Sequence, residues 1–112
     1  MLDLNGRRFT LTSNTAGDAK AGETIFTFQQ SGRAIRATYH GGGVMLGAII
    51  GQIEQDNRLN VLFQQVTEAG MLCGGEGRIE VQTGSDGKLR FLDDWRFIIN
   101  GEGHGRAVWQ EL

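Results

Sequence analysis

The side chains of this 112-residue chain that stand out as candidates for acid–base or covalent chemistry are His40, His104, the single Cys73, Tyr39, and the adjacent pair Asp93 and Asp94. One cysteine and two distant histidines match no zinc-ligand spacing, so no metal is expected. His40-Gly41-Gly42-Gly43 spells the HGGG of an oxyanion hole, yet a G-x-S-x-G nucleophile elbow is missing and the chain is too short for the α/β fold that presents one. It reads as a turn. Gln29 to Ala34, QQSGRA, matches in letters the Q-x-x-G-x-A signature for acetyl-coenzyme A, but that motif needs a helix N-terminus under the pyrophosphate. Here the alternating Ile35, Ala37 and Tyr39 follow instead, which reads as a hairpin, and no cofactor is implied.

Asp93 stands out because it falls in the apolar register of Leu89, Phe91, Trp95 and Phe97. A buried, unpaired carboxylate is costly and must be paired, hydrogen-bonded or neutralised. Two placements answer that cost. The expected one is a bulge at Asp93-Asp94 that turns Asp93 outward; the alternative has Asp93 lining a cavity, where it meets a ligand group or an arginine such as Arg36 or Arg78.

Stepping along the chain, these residues fall on short alternating runs rich in β-branched and aromatic side chains, with no capped apolar period of helical length. Glycine is 18 of 112 residues and proline is absent, so turns rest on Gly, Asn and Asp, which favours hairpins. Eight strands are predicted: 6–13, 23–30, 34–40, 44–54, 59–67, 71–82, 88–99 and 106–112. A polar loop from Asn14 to Gly22 is the longest break, and Gly74, Gly75 and Gly77 predict a bulge or sharp bend. Eight strands with short connections make an all-β, antiparallel up-and-down meander, and eight is the number that closes into a barrel just wide enough for side chains or one small ligand. An open curled sheet or a β-sandwich fits a similar pattern. Inward phase follows from Phe26 and Phe28, from Leu59, Val61 and Phe63, and from Leu89, Phe91, Trp95, Phe97 and Ile99; Phe9, Tyr39 and Trp109 are placed inside by choice of phase.

The run from Val44 to Ile53 breaks the alternation: Val44, Leu46 and Ile50 face one way, and Met45, Ile49 and Ile53 the other with Gly47 and Gly51. A wall apolar on both faces implies either a tightly bent strand wrapped by loops or a homo-oligomer through Val44 to Ile53.

A net charge of −2 gives no basic face for nucleic acid or an anionic membrane. No apolar run reaches the ~18 residues of a spanning helix, Met1 to Gly6 carries no signal-peptide core, and Cys73 has no internal disulfide partner. One cytoplasmic domain over 1–112 is expected.

The pattern G-R-x-F at Gly6 to Phe9, GET-x-F at Gly22 to Phe26, A-T-Y-x-G-G at Ala37 to Gly42, the G-x-I at Gly51 to Ile53 and the closing DG-x-x-R and W segments resembles a family of small bacterial proteins, many labelled N-acetylglutamate synthase. That resemblance implies acetyl transfer to glutamate, with an arginine such as Arg36 holding a carboxylate and His40 or His104 taking the amine proton. The eight-strand meander also resembles avidin-like and lipocalin-like barrels, which implies small-molecule binding at one open end. The lipocalin G-x-W is absent, with Phe9 near its place, and no residue set matches the biotin site, so no particular ligand is implied.

The connections after the first, third, fifth and seventh strands are the longest or the richest in glycine, which marks that end as the working one. Ser13, Thr24, Tyr39, His40, Gln65, Cys73, Trp95 and His104 fall near it. Aromatic walls with a few polar groups suit a small-molecule pocket, and the expected ligand-binding residues are Tyr39, Gln65, Trp95, Asp93 and Thr24, acting without covalent chemistry. A structural or protein-interaction module is the third reading.

Overall fold

The computed structural model describes residues 1–15 and 22–112, so most of the expected loop from Asn14 to Gly22 lies outside the described residues. The strands are β1 (Arg8–Asn14), β2 (Ile25–Ser31), β3 (Ala34–Gly41), β4 (Val44–Glu54), β5 (Arg58–Thr67), β6 (Leu72–Thr83), β7 (Leu89–Ile99) and β8 (His104–Glu111). Each pairs antiparallel with the next, and β1 pairs with β8, matching Phe9 to Glu111 and Leu11 to Trp109. That last ladder closes the barrel and sets aside the open sheet and the sandwich.

Turn chemistry explains the tight connections. Between β4 and β5, Asp56 and Asn57 both take left-handed backbone (φ 61 and 55), which short polar side chains tolerate and which matches the twist of a hairpin. Between β6 and β7, Asp86 Oδ1 accepts the Lys88 N–H at 3.0 Å beside Gly87. Gln29 to Ala34 forms the β2–β3 hairpin, as its alternation predicted.

Two bulges change the expected phase. Val44 pairs with Thr67 and Leu46 with Val66, so Met45 is an extra residue in β4. It points to solvent, while Val44 turns to the interior beside the Gly47, Ile49, Gly51, Ile53 face. The expectation that Met45 shares a face with Ile49, and Val44 with Leu46, is therefore corrected. The glycine cluster of β6 does meet a bulge, and the extra residue sits opposite it in β7: Gly75 pairs with Phe97 and Gly74 with Ile99, leaving Ile98 over. One extra residue inverts the alternation, so Ile99, expected inside, is 61 % exposed.

The core is unevenly filled. Toward the short-turn end, Phe9 stacks on Phe91 at 4.2 Å between ring centroids, and Phe28 sets its edge against both at 5.5 and 5.9 Å. The segment before β1 shuts this end. Leu4 is fully buried, its N–H donates to Gln30 Oε1 (2.7 Å), Gln30 Nε2 donates to the Leu2 carbonyl (2.9 Å), and the Gly6 N–H reaches the Phe28 carbonyl (2.9 Å). Arg7 then grips both carboxylate oxygens of Glu111 at 2.9 and 3.1 Å, and Glu111 also accepts the Leu89 N–H. Both contacts come from Nη1, while Arg7 Nε donates to the Asp3 carbonyl at 2.7 Å, so one guanidinium ties the leading segment to the end of β8.

Candidate functional site

With one end plugged, space remains at the other. There the wall is a second aromatic tier: Phe26 stacks on Trp109 at 4.0 Å and on Tyr39 at 4.9 Å, while Phe97 stands edge-on to Phe63 and Trp95. Large rings stay at the wall because glycines oppose them. Tyr39 pairs across β3–β4 with Gly47, and Trp95 pairs with Gly77 on one side and Gly105 on the other. A Cβ on Gly105 would come within 2.8 Å of the Trp95 ring, so the ring packs closely against that backbone. The rings enclose an open cavity of about 250 Å³, just under the ~300–1,000 Å³ of common ligand sites.

All five residues expected at the site line this cavity: Thr24, Tyr39, Gln65, Asp93 and Trp95. Their polar atoms are already oriented. The Tyr39 hydroxyl donates to Gln65 Oε1 at 2.8 Å, with the Gln64 carbonyl at 3.4 Å. Burial first, and Cys73 second, push its pKa well above the usual tyrosine range, so it stays a neutral donor. The Trp95 indole N–H donates to Asn14 Oδ1 at 3.2 Å, and the Thr24 hydroxyl donates to the Gly41 carbonyl at 3.2 Å, which ties the start of β2 to the β3–β4 turn. Second-tier bonds of this kind hold first-tier groups in one geometry.

Asp93 is the correction of greatest consequence. The expected bulge that would turn it outward is absent: Ile79, Asp93 and Ala107 pair in an unbroken register, and Asp93 faces inward at 7 % exposure. Gly77 makes the room, since a Cβ there would lie 2.7 Å from Asp93 Oδ1. That oxygen has no hydrogen-bond partner, and neither has Trp109 Nε1. Desolvation first, and the neighbouring Asp94 second, raise the carboxyl from 3.8 to about 7; the nearby Trp109 indole N–H opposes the rise without completing a hydrogen bond. The arginines that might have paired with it lie outside, Arg36 on Gln29 Oε1 at 2.6 Å and Arg78 exposed beside β7.

The chain also matches a family model. That model, described as Avidin-like protein, covers residues 2–112. The chain belongs to the avidin-like family. No curated protein matches the chain, and no solved structure does. Within this avidin-like barrel, His40 and His104 are exposed and, like Arg36, stand apart from the cavity. Ser13 is half-buried just past a β1 bulge, and the buried thiol of Cys73 is outside the cavity lining. The structure adds residues that sequence reasoning missed. Asn14 orients Trp95, and Trp109, placed inside but not at the site, supplies a wall and an unused donor. The β1 bulge at Thr12, which alternation alone does not reveal, brings Asn14 inward.

The outer wall of the avidin-like barrel carries two further features. A groove of about 590 Å³ crosses β5 to β8 among exposed, mixed charges that include Arg58, Arg78, Glu80 and Arg106. Nearer the mouth, Leu46, Ile50, Leu62, Leu72, Ile98 and Ile99 are exposed on β4 to β7. Among the described residues no group of His, Cys, Asp and Glu is placed to hold a metal, and no helix is long and apolar enough to cross a membrane.

Proposed function

We propose that this avidin-like protein binds a small molecule, without covalent chemistry, in the open end of its barrel. The observation that carries the reading is the cavity itself: one end of the barrel is filled by Phe9, Phe28, Phe91 and Leu4, while the other is walled by rings and holds Tyr39, Gln65, Trp95, Asp93 and Thr24 together. An apolar recess with a few convergent polar groups is the usual form of a ligand site. Acetyl transfer to glutamate finds no such support, because none of Arg36, His40 and His104 lines this cavity. The cytoplasm is the compartment we assign, consistent with a lone free thiol at Cys73.

Native mass spectrometry of protein purified gently from its own host tests the reading. A retained small molecule that is lost on changing Trp95 or Tyr39 to Ala supports it; a clean apo mass, with the empty protein also indifferent to small apolar probes, overturns it.

A second copy of the chain is the partner we add, and the apolar outer wall supports it. Ile50 pairs with Leu62, and Leu46 with Val66 and through it with Leu72, so exposed apolar side chains adjoin across three strands. Contiguous apolar patches of this kind associate, most simply about a two-fold axis.

A further inference from the structure

Among the described residues that line the cavity, Asp93 is the sole carboxylate and no Lys, Arg or His joins it. Its Oδ1 is buried and unpartnered, and so is the indole N–H of Trp109 beside it. Around it stand six aromatic rings, Phe26, Tyr39, Phe63, Trp95, Phe97 and Trp109. We propose that the cavity takes a small organic cation, an amine on a short apolar or aryl body, whose ammonium seats on Asp93 inside the ring of aromatic side chains. The inference rests on the binding reading above and names its ligand class.

Charge and hydrogen bonding agree on that class. Ring faces are electron-rich and attract a desolvated cation, the use to which aromatic cages for ammonium ligands are put. A carboxylate accepts only, so the ammonium satisfies the orphan oxygen with a charge-assisted bond and removes the cost of the buried charge. Ionisation also makes Asp93 a stronger acceptor beside the Trp109 N–H. An anionic ligand would meet the opposite situation, a like charge with no cation among the described residues of the wall.

The surroundings leave this role to the ligand. Of the charged groups on neighbouring strands, Asp94 follows Asp93 and faces out, where it pairs with Arg106 of β8 at 3.0 Å. Arg58 of β5, and Arg78 and Glu80 of β6, border the outer groove; Asp93 also lines that groove, yet among the described residues it makes no ion pair with any of them. Among the described residues of the cavity wall, Tyr39 is the other titratable group, and it stays neutral.

Three probes with one body and different heads test the assignment: 2-phenylethylamine, 2-phenylethanol and 3-phenylpropionate, titrated calorimetrically into the intact protein. The amine should bind tightest at pH 8 and weaken roughly thirtyfold by pH 5.5 as Asp93, with its pKa near 7, takes up a proton. At pH 6.5 its binding should release protons, read as a dependence of the heat on buffer ionisation. Asp93→Asn should abolish the preference for the amine and leave the alcohol unchanged; should that variant not fold, the pH series on the natural protein decides alone. If the alcohol or the carboxylate binds as well as the amine at pH 8, the cation class is wrong while the pocket stands. If no probe binds, the binding reading fails and the inference with it.

Discussion

Tyr39 lies flat on the backbone of Gly47, its partner across β3–β4, so closely that a Cβ at position 47 would fall well inside van der Waals contact with the ring. The pair sets the shape of the open end, since it fixes the ring whose hydroxyl meets Gln65 at 2.8 Å. Gly47→Ala should displace the ring and cost about 1–3 kcal/mol of stability, the usual range for overpacking. Tyr39 is the chain's one tyrosine, so its near-ultraviolet and ring NMR signals should change in the same variant. A loss below about 0.5 kcal/mol, the range of a neutral surface change, would show that the close approach does not constrain the ring.

Asp93 should make stability fall with rising pH. Its carboxyl titrates at 3.8 when unfolded and at about 7 when folded. A raised folded pKa means that the native state binds the proton more tightly. Its contribution is therefore full below pH 3.8, declines from there upward, and is lost once pH passes 7. The span corresponds to a few kcal/mol, at about 1.4 kcal/mol per pKa unit. In urea titrations from pH 4 to 8, the natural protein should lose stability relative to Asp93→Asn. Parallel curves for the two proteins would place Asp93 in contact with water.

The exposed apolar wall should hold copies together. Ile50 and Leu62 are 68 % and 61 % exposed and face each other across β4–β5. In sedimentation velocity at tens of micromolar, the natural protein should run heavier than its 12.3 kDa chain. The double change Ile50→Lys, Leu62→Lys should return it to monomer mass with its circular dichroism intact. A natural protein that sediments as a monomer at that concentration would rule out this interface.

Leu4 should matter as much as a strand residue although it precedes β1. It is fully buried in the closed end, and Leu4→Ala should cost about 2–5 kcal/mol, as cavity-forming changes in cores do. Denaturant unfolding measures it. A cost near zero would mean that residues 1–7 rest on the barrel without closing it.

Much of this architecture is legible in the chain because strand periodicity is a local property. Leu89, Phe91, Trp95 and Phe97 alternate with Arg90, Asp94 and Arg96, and turn residues such as Asp86-Gly87 mark where direction reverses. Eight such runs with hairpin connections determine the all-β meander and its two ends, and thereby gather Thr24, Tyr39, Gln65 and Trp95 at one of them. Local pattern stops there. Closure depends on β1 finding β8 about a hundred residues away, and the bulges at Met45 and Ile98 appear only when two strands are set in register. Leu4 reads as a loose terminal residue until the barrel gives it an end to fill. Asp93 is the clearest case. Desolvation argues for turning a lone carboxylate outward, and only the assembled barrel supplies the opposing term: an unbroken register through Ile79 and Ala107, with Gly77 leaving the space into which the side chain points.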